Sequence, residues 1–230
     1  MQPDARSCTR HFVYRTTCLK TTWKLRLGLL AIVAGLFWAA AAFWTGPIAR
    51  VLVCQAQEPA PGSAILLENF DVNYLIFQRA AELRRHGVSG RIVVPVEASP
   101  DPALPNQVSA GFVEVMARVS HVGPIEIVPF REIEPISLNA VFQVRDYLQR
   151  EGIRSVLVIA PGFRSRRSSL LYRTVLGAAD IETRCLPVFG DQTPDTWTRT
   201  WHGVQQVLEQ YIKLVYYRVA ILPRTAATRS

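Results

Sequence analysis
The sequence predicts an α/β domain: three-layer α/β/α, with a mostly parallel, Rossmann-like sheet of about five strands, preceded by one transmembrane helix. Three observations predict it. Between residues 63 and 220, short apolar runs alternate with longer stretches of helical period. The runs are continuously apolar, as in Ser155-Val156-Leu157-Val158-Ile159-Ala160, which fits strands covered on both faces. Ahead of this region, Leu27 to Trp44 contains no charged residue.

The elements follow in order. Residues 1–26 form a basic N-terminus, 27–49 the span, 50–62 a Pro-rich linker, 63–220 the domain and 221–230 a tail. Ala64 to Leu67 is the first strand. Val72 to His86 carries Leu75, Ile76, Ala80 and Leu83 at helical spacing, and Gly87 ends that helix. Arg91 to Val96 is a β-branched strand, Gln107 to Ser120 an amphipathic helix and Ile125 to Pro129 the third strand. Ser137 to Glu151 is a helix ended by Gly152, and Ser155 to Ala160 a strand. Ser165 to Leu176 is a helix ended by Gly177, and Glu182 to Val188 the fifth strand. Trp197 to Val219 closes the domain as one long helix, with Trp201, Val204, Leu208, Tyr211 and Val215 on one stripe. Trp197 and Trp201 read as core packing, with sugar stacking as the alternative. Strands joined by helices in this way imply right-handed parallel crossovers.

At 1.5 Å per residue, roughly 20 apolar residues cross a bilayer core of about 30 Å. The run from Leu27, extended by residues 45–49, has that length, and Trp23, Trp38 and Trp44 supply interfacial rings. Six basic residues precede it and only Arg50 follows closely, so the N-terminus is expected in the cytoplasm and the domain outside. A cleaved signal peptide is the alternative, because Ala39 to Ala42 offers small residues. The long basic segment and long apolar run favour an uncleaved anchor. Arg-rich, Lys-poor usage suggests a bacterial chain, hence an inner-membrane protein with a periplasmic or extracellular domain. In that oxidising space Cys54 and Cys185 are available to pair, though their spacing does not decide it. Cys8 and Cys18 would stay reduced inside.

The net charge is +8, from 26 basic and 18 acidic residues. Residues 1–62 hold seven of the basic and two of the acidic ones, which leaves residues 63–230 with 19 and 16, or only +3. The basic excess therefore sits beside the span, and no helix-turn-helix, zinc-finger or aromatic–basic pattern points to nucleic acid. The four histidines, His11, His86, His121 and His202, are scattered, and no metal or cofactor motif is present. There is no G-x-S-x-G elbow and no Gly-rich phosphate loop, which excludes the commonest hydrolase and nucleotide-binding patterns.

Several residues carry a resemblance. Ile136-Ser137-Leu138-Asn139-Ala140 stands where one family has T-x-E-N-A. Val158-Ile159-Ala160-Pro161-Gly162-Phe163-Arg164-Ser165-Arg166 stands where it has a strand ending V-T-S, a turn, a His and an Arg. Trp197, Glu209 and Lys213-Leu214-Val215-Tyr216-Tyr217 complete the pattern. Over Ala64 to Val219 the chain resembles the YdcF/SanA/ElyC-like family of bacterial envelope α/β domains. Asn139 and Arg166 match family positions. The family acid is replaced by Leu138, the His by Phe163, and a Gly-rich first strand end by Leu66-Leu67-Glu68-Asn69. The resemblance implies a role in envelope integrity or surface polysaccharide. By analogy with one branch it implies S-adenosylmethionine binding.

The candidate anion-binding residues are Arg164, Ser165, Arg166 and Arg167, at a strand-to-helix junction, with Asn139 beside them. Free N–H groups and a positive helix end suit an anion there, and Arg forks fit phosphate. The alternative is a solvated basic face with Ser165 as cap. Ser168 and Ser169 add hydroxyls. Glu68 and Asp71 form a candidate acidic edge, with Asp71 alternatively capping the next helix. No nucleophile–base pair is evident, so catalytic residues are not assigned. The expected function is binding of an anionic lipid- or sugar-phosphate at the membrane, without conventional catalysis. The alternatives are a non-enzymatic scaffold with envelope protein partners, or an enzyme binding S-adenosylmethionine.

Overall fold
A computed structural model describes residues 23–60, 62–69 and 74–227. Cys8, Cys18, His11 and Asp71 lie outside the described residues. The chain divides into two compact units, residues 1–43 and 44–230. In the first, the described residues are helical. They belong to α1 (Trp23–Arg50), whose stretch Trp23–Ala40 has the length and composition of a membrane anchor or signal sequence. The second unit takes in the end of α1, from Trp44, together with the α/β fold.

That fold has five strands, β1 (Ala64–Leu67), β2 (Ile92–Glu97), β3 (Glu126–Phe130), β4 (Ser155–Pro161) and β5 (Glu182–Val188). They form one parallel sheet in the order β3-β2-β1-β4-β5. The joining helices are α2 (Tyr74–Arg85), α3 (Gln107–Val119), α4 (Ile136–Arg150) and α5 (Ser165–Gly177). Strand residues alternate between two cores, because successive side chains point to opposite faces. Ala64, Leu66, Val156 and Val158 meet α4 and α5 on one face. Ile65, Leu67, Leu157 and Ile159 meet α2 and α3 on the other. Gly87 and Gly152, at the ends of α2 and α4, take φ of +74° and +65°, the left-handed turn that stops a helix.

The predicted fold and all five strands are present. The closing helix differs from its prediction. Trp197–Arg199 is a 3-10 turn, α6 runs Trp201–Tyr216, Tyr217–Ile221 is π-helical, and α7 is Leu222–Ala227. The predicted core stripe is also rotated. Gly203, Val207, Gln210 and Leu214 face inward. Trp201 is 72% exposed, and Leu208 and Val215 are exposed with it. Trp197 is buried as expected, but Trp201 is not core packing.

The segment read as a linker is fastened down. The Gln57 amide donates to the Cys185 carbonyl at 3.0 Å, and Arg184 donates to the Glu58 carbonyl at 2.7 Å. Cys54 forms a disulfide with Cys185. Residues 44–54 are held from the other side as well. Trp197 Nε1 donates to the Thr45 carbonyl at 3.0 Å, and Ala49 and Leu52 pack with Phe163, Trp197, Val207 and Leu214.

Candidate functional site
The strand order reverses between β1 and β4, and in such sheets ligands bind beyond the carboxyl ends of the strands. A cavity of about 330 Å³ lies there. Four of the five strand ends contribute: Asn69 after β1, Glu97 closing β2, Phe130 ending β3 with Glu132 just past it, and Arg164 after β4. Ser137 from the first turn of α4 and Phe112 from α3 complete the wall. Pro135 precedes α4 and supplies no side-chain cap. The Leu138 and Asn139 N–H groups donate to the Pro135 carbonyl, and Ile136 and Ser137, the first two residues of that helix, line the cavity.

The three clustered arginines diverge. Arg164 is buried and lines this cavity. Arg167 is also buried, donates to the Ser137 hydroxyl at 2.9 Å, and lies 5.4 Å over the Tyr217 ring. Arg166 is exposed and lines a second cavity with Arg173 and Arg218. The cause is helical geometry: consecutive residues are turned by about 100°, so Arg166 and Arg167 cannot address one ligand.

Two hydroxyls of this segment are occupied. Ser165 Oγ accepts from the Cys54 amide at 3.0 Å and donates to the Gly162 carbonyl. It therefore joins the α5 start to the disulfide segment. Ser168 donates to the Glu68 carboxylate, and both are buried. Beside them stands Tyr172, fully buried, its phenol pushed well above its ordinary value by burial. The negative charge of Glu68 raises it further, and Arg164 opposes the rise. Neither Ser168 nor Glu68 lines the cavity. Asn139 donates to the Ile133 carbonyl at 3.0 Å and braces the loop ahead of α4.

Of the predicted site residues, then, Arg164 reaches the carboxyl-edge cavity, and Arg167 touches it through Ser137. Ser165, Ser168 and Glu68 are buried and do not line it. Arg166 belongs elsewhere. Sequence reasoning missed Glu97, Glu132, Phe112, Phe130 and Ser137. The available signal for Glu97, Phe130, Glu132 and Ser137 was their position, at or just past strand ends or in a first helical turn; Phe112, in the second turn of α3, carried no such signal. Among the described residues, no group of three or more His, Cys, Asp or Glu is placed to hold a metal ion. No family model matches the chain, and no curated protein matches it significantly.

Proposed function
We propose that this is a membrane-anchored, YdcF/SanA/ElyC-like domain that binds a phosphate-bearing, hydroxyl-rich envelope or exopolysaccharide precursor on the extracytoplasmic side. The observation that carries the reading is the buried Arg164 guanidinium in a cavity that also presents Glu97 and Glu132. Arg164 and the uncapped start of α4 suit the phosphate. The two glutamates suit sugar hydroxyls, and Phe112 and Phe130 offer apolar faces to a ring. A purely anionic ligand would be repelled by the glutamates. A sugar phosphate uses both signs of charge.

The reading is binding rather than conventional catalysis. Ser168, whose hydroxyl is bonded to the Glu68 carboxylate, is buried and does not line the cavity. N-terminus in the cytoplasm, inner-membrane residence and an uncleaved span belong to the same proposal. The scaffold reading is favoured by one feature, the exposed Val108, Phe112, Val115 and Val119 along α3, which suit a protein partner.

The test is a thermal-shift screen of the full chain in detergent against sugar phosphates, nucleotide sugars, prenyl phosphates and S-adenosylmethionine. A ligand at 100 times its Kd adds about 2.7 kcal/mol, or roughly 5–10 °C in a domain of this size. A sugar-phosphate shift that Arg164→Gln and Glu97→Gln both reduce supports the reading. A shift with S-adenosylmethionine alone replaces the ligand. No shift in a folded chain favours the scaffold.

A further inference from the structure
α6 has two apolar faces. Val207 and Leu214 pack inward. Trp201, Leu208, Ile212 and Val215 form an outward stripe, extended by Val219 in the π-helical turn that follows, each 55–72% exposed. Their spacing of seven, four, three and four keeps them on one side of a helix. A soluble domain rarely leaves so large an apolar stripe to water.

Contacts inside the second unit identify what lies beside the stripe. Tyr211, adjacent to Leu208 and Val215 on the helix surface, donates to the Ile48 carbonyl. Trp197 donates to the Thr45 carbonyl at 3.0 Å, and Arg50 pairs with Asp195 at 2.9 Å. Residues 45–50 directly follow the uncharged run that ends at Trp44. The middle of the stripe therefore lies one side chain, Tyr211, away from the residues that follow the apolar run. α3 exposes apolar residues too, but α6 is the helix hydrogen-bonded to the end of α1.

A second observation is independent of the stripe. A cavity of about 400 Å³ is lined by Arg166, Arg173 and Arg218, with the hydroxyl-bearing Ser169 and Thr174, and by Val51. No Asp or Glu lines it. Arg166, Ser169 and Arg173 share one face of α5, and Arg218 follows directly from α6. Three cations without a carboxylate, beside the residue that follows α1, match the phosphates of a bilayer surface. Trp201 and Tyr216 are the residue types that settle at the headgroup level.

We propose that α6 lies in the headgroup–acyl boundary of the bilayer that anchors the chain, with Arg166, Arg173 and Arg218 on the phosphate of an anionic phospholipid. The inference rests on reading residues 27–49 as a retained span. It is separate from the carboxyl-edge cavity.

The test uses the full chain in nanodiscs of phosphatidylcholine, with and without phosphatidylglycerol. Cys8→Ser and Cys18→Ser leave no competing thiol. A nitroxide is placed at Ile212→Cys or, as a control, at Leu36→Cys. Collision with oxygen marks lipid, and collision with a water-soluble nickel chelate marks solvent. The expected result is oxygen preference at both sites, greater at 212 when phosphatidylglycerol is present. Replacing the three arginines with Gln lowers the ratio of lipid-seated to free domain by about fivefold per arginine in the anionic discs. Position 36 in lipid with 212 open to nickel overturns this inference alone. Position 36 open to nickel overturns the anchor and the inference together. Position 212 shielded from both probes means that protein covers the stripe, which also overturns it.

Discussion

Cys54 is bonded to Cys185, 131 residues away. The bond staples the segment just after α1 to the middle of edge strand β5. Hydrogen bonds from the Cys54 amide to Ser165 and from Gln57 to the Cys185 carbonyl lie on either side of it. The end of α1 is thus an integral part of the α/β unit.

Closing so long a loop restricts the unfolded chain, and a native disulfide of this kind contributes about 2–4 kcal/mol. Cys54→Ser and Cys185→Ser are expected to lower the melting temperature to the same extent, and the double variant no further. Alkylation of the denatured, unreduced chain should leave both cysteines unmodified, as read by peptide mass spectrometry. Alkylation of both in protein folded in an oxidising compartment would rule the bond out there.

The buried Glu68–Ser168 hydrogen bond joins the end of β1 to the second turn of α5, across the point where the sheet order reverses. Removing one partner strands the other away from water, at a cost of about 1–3 kcal/mol for a neutral group and more for a charge. Ser168→Ala and Glu68→Ala should each be destabilising, with Ser168→Ala at least as costly, because it takes a hydrogen bond from the carboxylate. Because each leaves the same contact broken, the double variant should fall short of their sum by about 1 kcal/mol or more. Chemical denaturation of the four proteins measures this coupling. Strict additivity would show that the two groups are held independently.

The strands were legible because their chemistry is local. β1 and β5 coincide with the predicted runs Ala64 to Leu67 and Glu182 to Val188; burial on both faces gives β1 an unbroken apolar signature, whereas β5, at the sheet edge, buries Cys185 and leaves its other residues partly or fully exposed. The site was legible only in part. Arg164, Arg166 and Arg167 are adjacent in sequence, and adjacency suggested one cluster, yet the turn of a helix sends neighbours in different directions. The cavity is the opposite case. Asn69, Glu97, Glu132 and Arg164 come from four separate strand ends, so no spacing along the chain announces them. α6 defeated periodicity for a third reason: it is apolar on two sides, and a period of 3.6 does not say which one the core takes.

Two helical glycines should respond to alanine with opposite signs. A Cβ on Gly203 would lie 2.1 Å from the Trp197 carbonyl oxygen, where backbone meets backbone and neither can yield cheaply. A Cβ on Gly111, inside α3, meets nothing within 4 Å. Helix propensity alone favours Ala over Gly by about 1 kcal/mol. Gly111→Ala should therefore raise the melting temperature by about 2–4 °C. In Gly203→Ala the clash outweighs that gain. The Trp197 turn must move, with a net loss of about 1–3 kcal/mol. Equal responses at the two sites would mean that Trp197 does not pack on α6 as described.

At the amino end of the sheet, Arg91 grips the Glu126 carboxylate with two hydrogen bonds of 2.8 and 2.7 Å, and also pairs with Glu151 at 2.9 Å. The Tyr147 hydroxyl donates to the same Glu126 at 2.7 Å. The Arg91 bonds hold the Glu126 carboxyl below its ordinary value, with help from Tyr147. The Tyr147 phenol is pushed up to about 12, by burial first and then by its bond to Glu126. A carboxylate depressed in the folded state binds its proton less readily there than in the unfolded chain. Its contribution to stability is therefore complete above the ordinary carboxylate value near 4.5 and drains away as pH falls through the lower folded value. Both partners are about a third exposed, so solvent screening keeps the effect small. Denaturation midpoints measured from pH 7 down to pH 3 should fall less steeply for Glu126→Gln than for the unaltered chain. The two curves should converge at the acid end, because protonated Glu126 and Gln are alike in charge. Parallel curves would show that Glu126 titrates the same way folded and unfolded, and that Arg91 does not hold it.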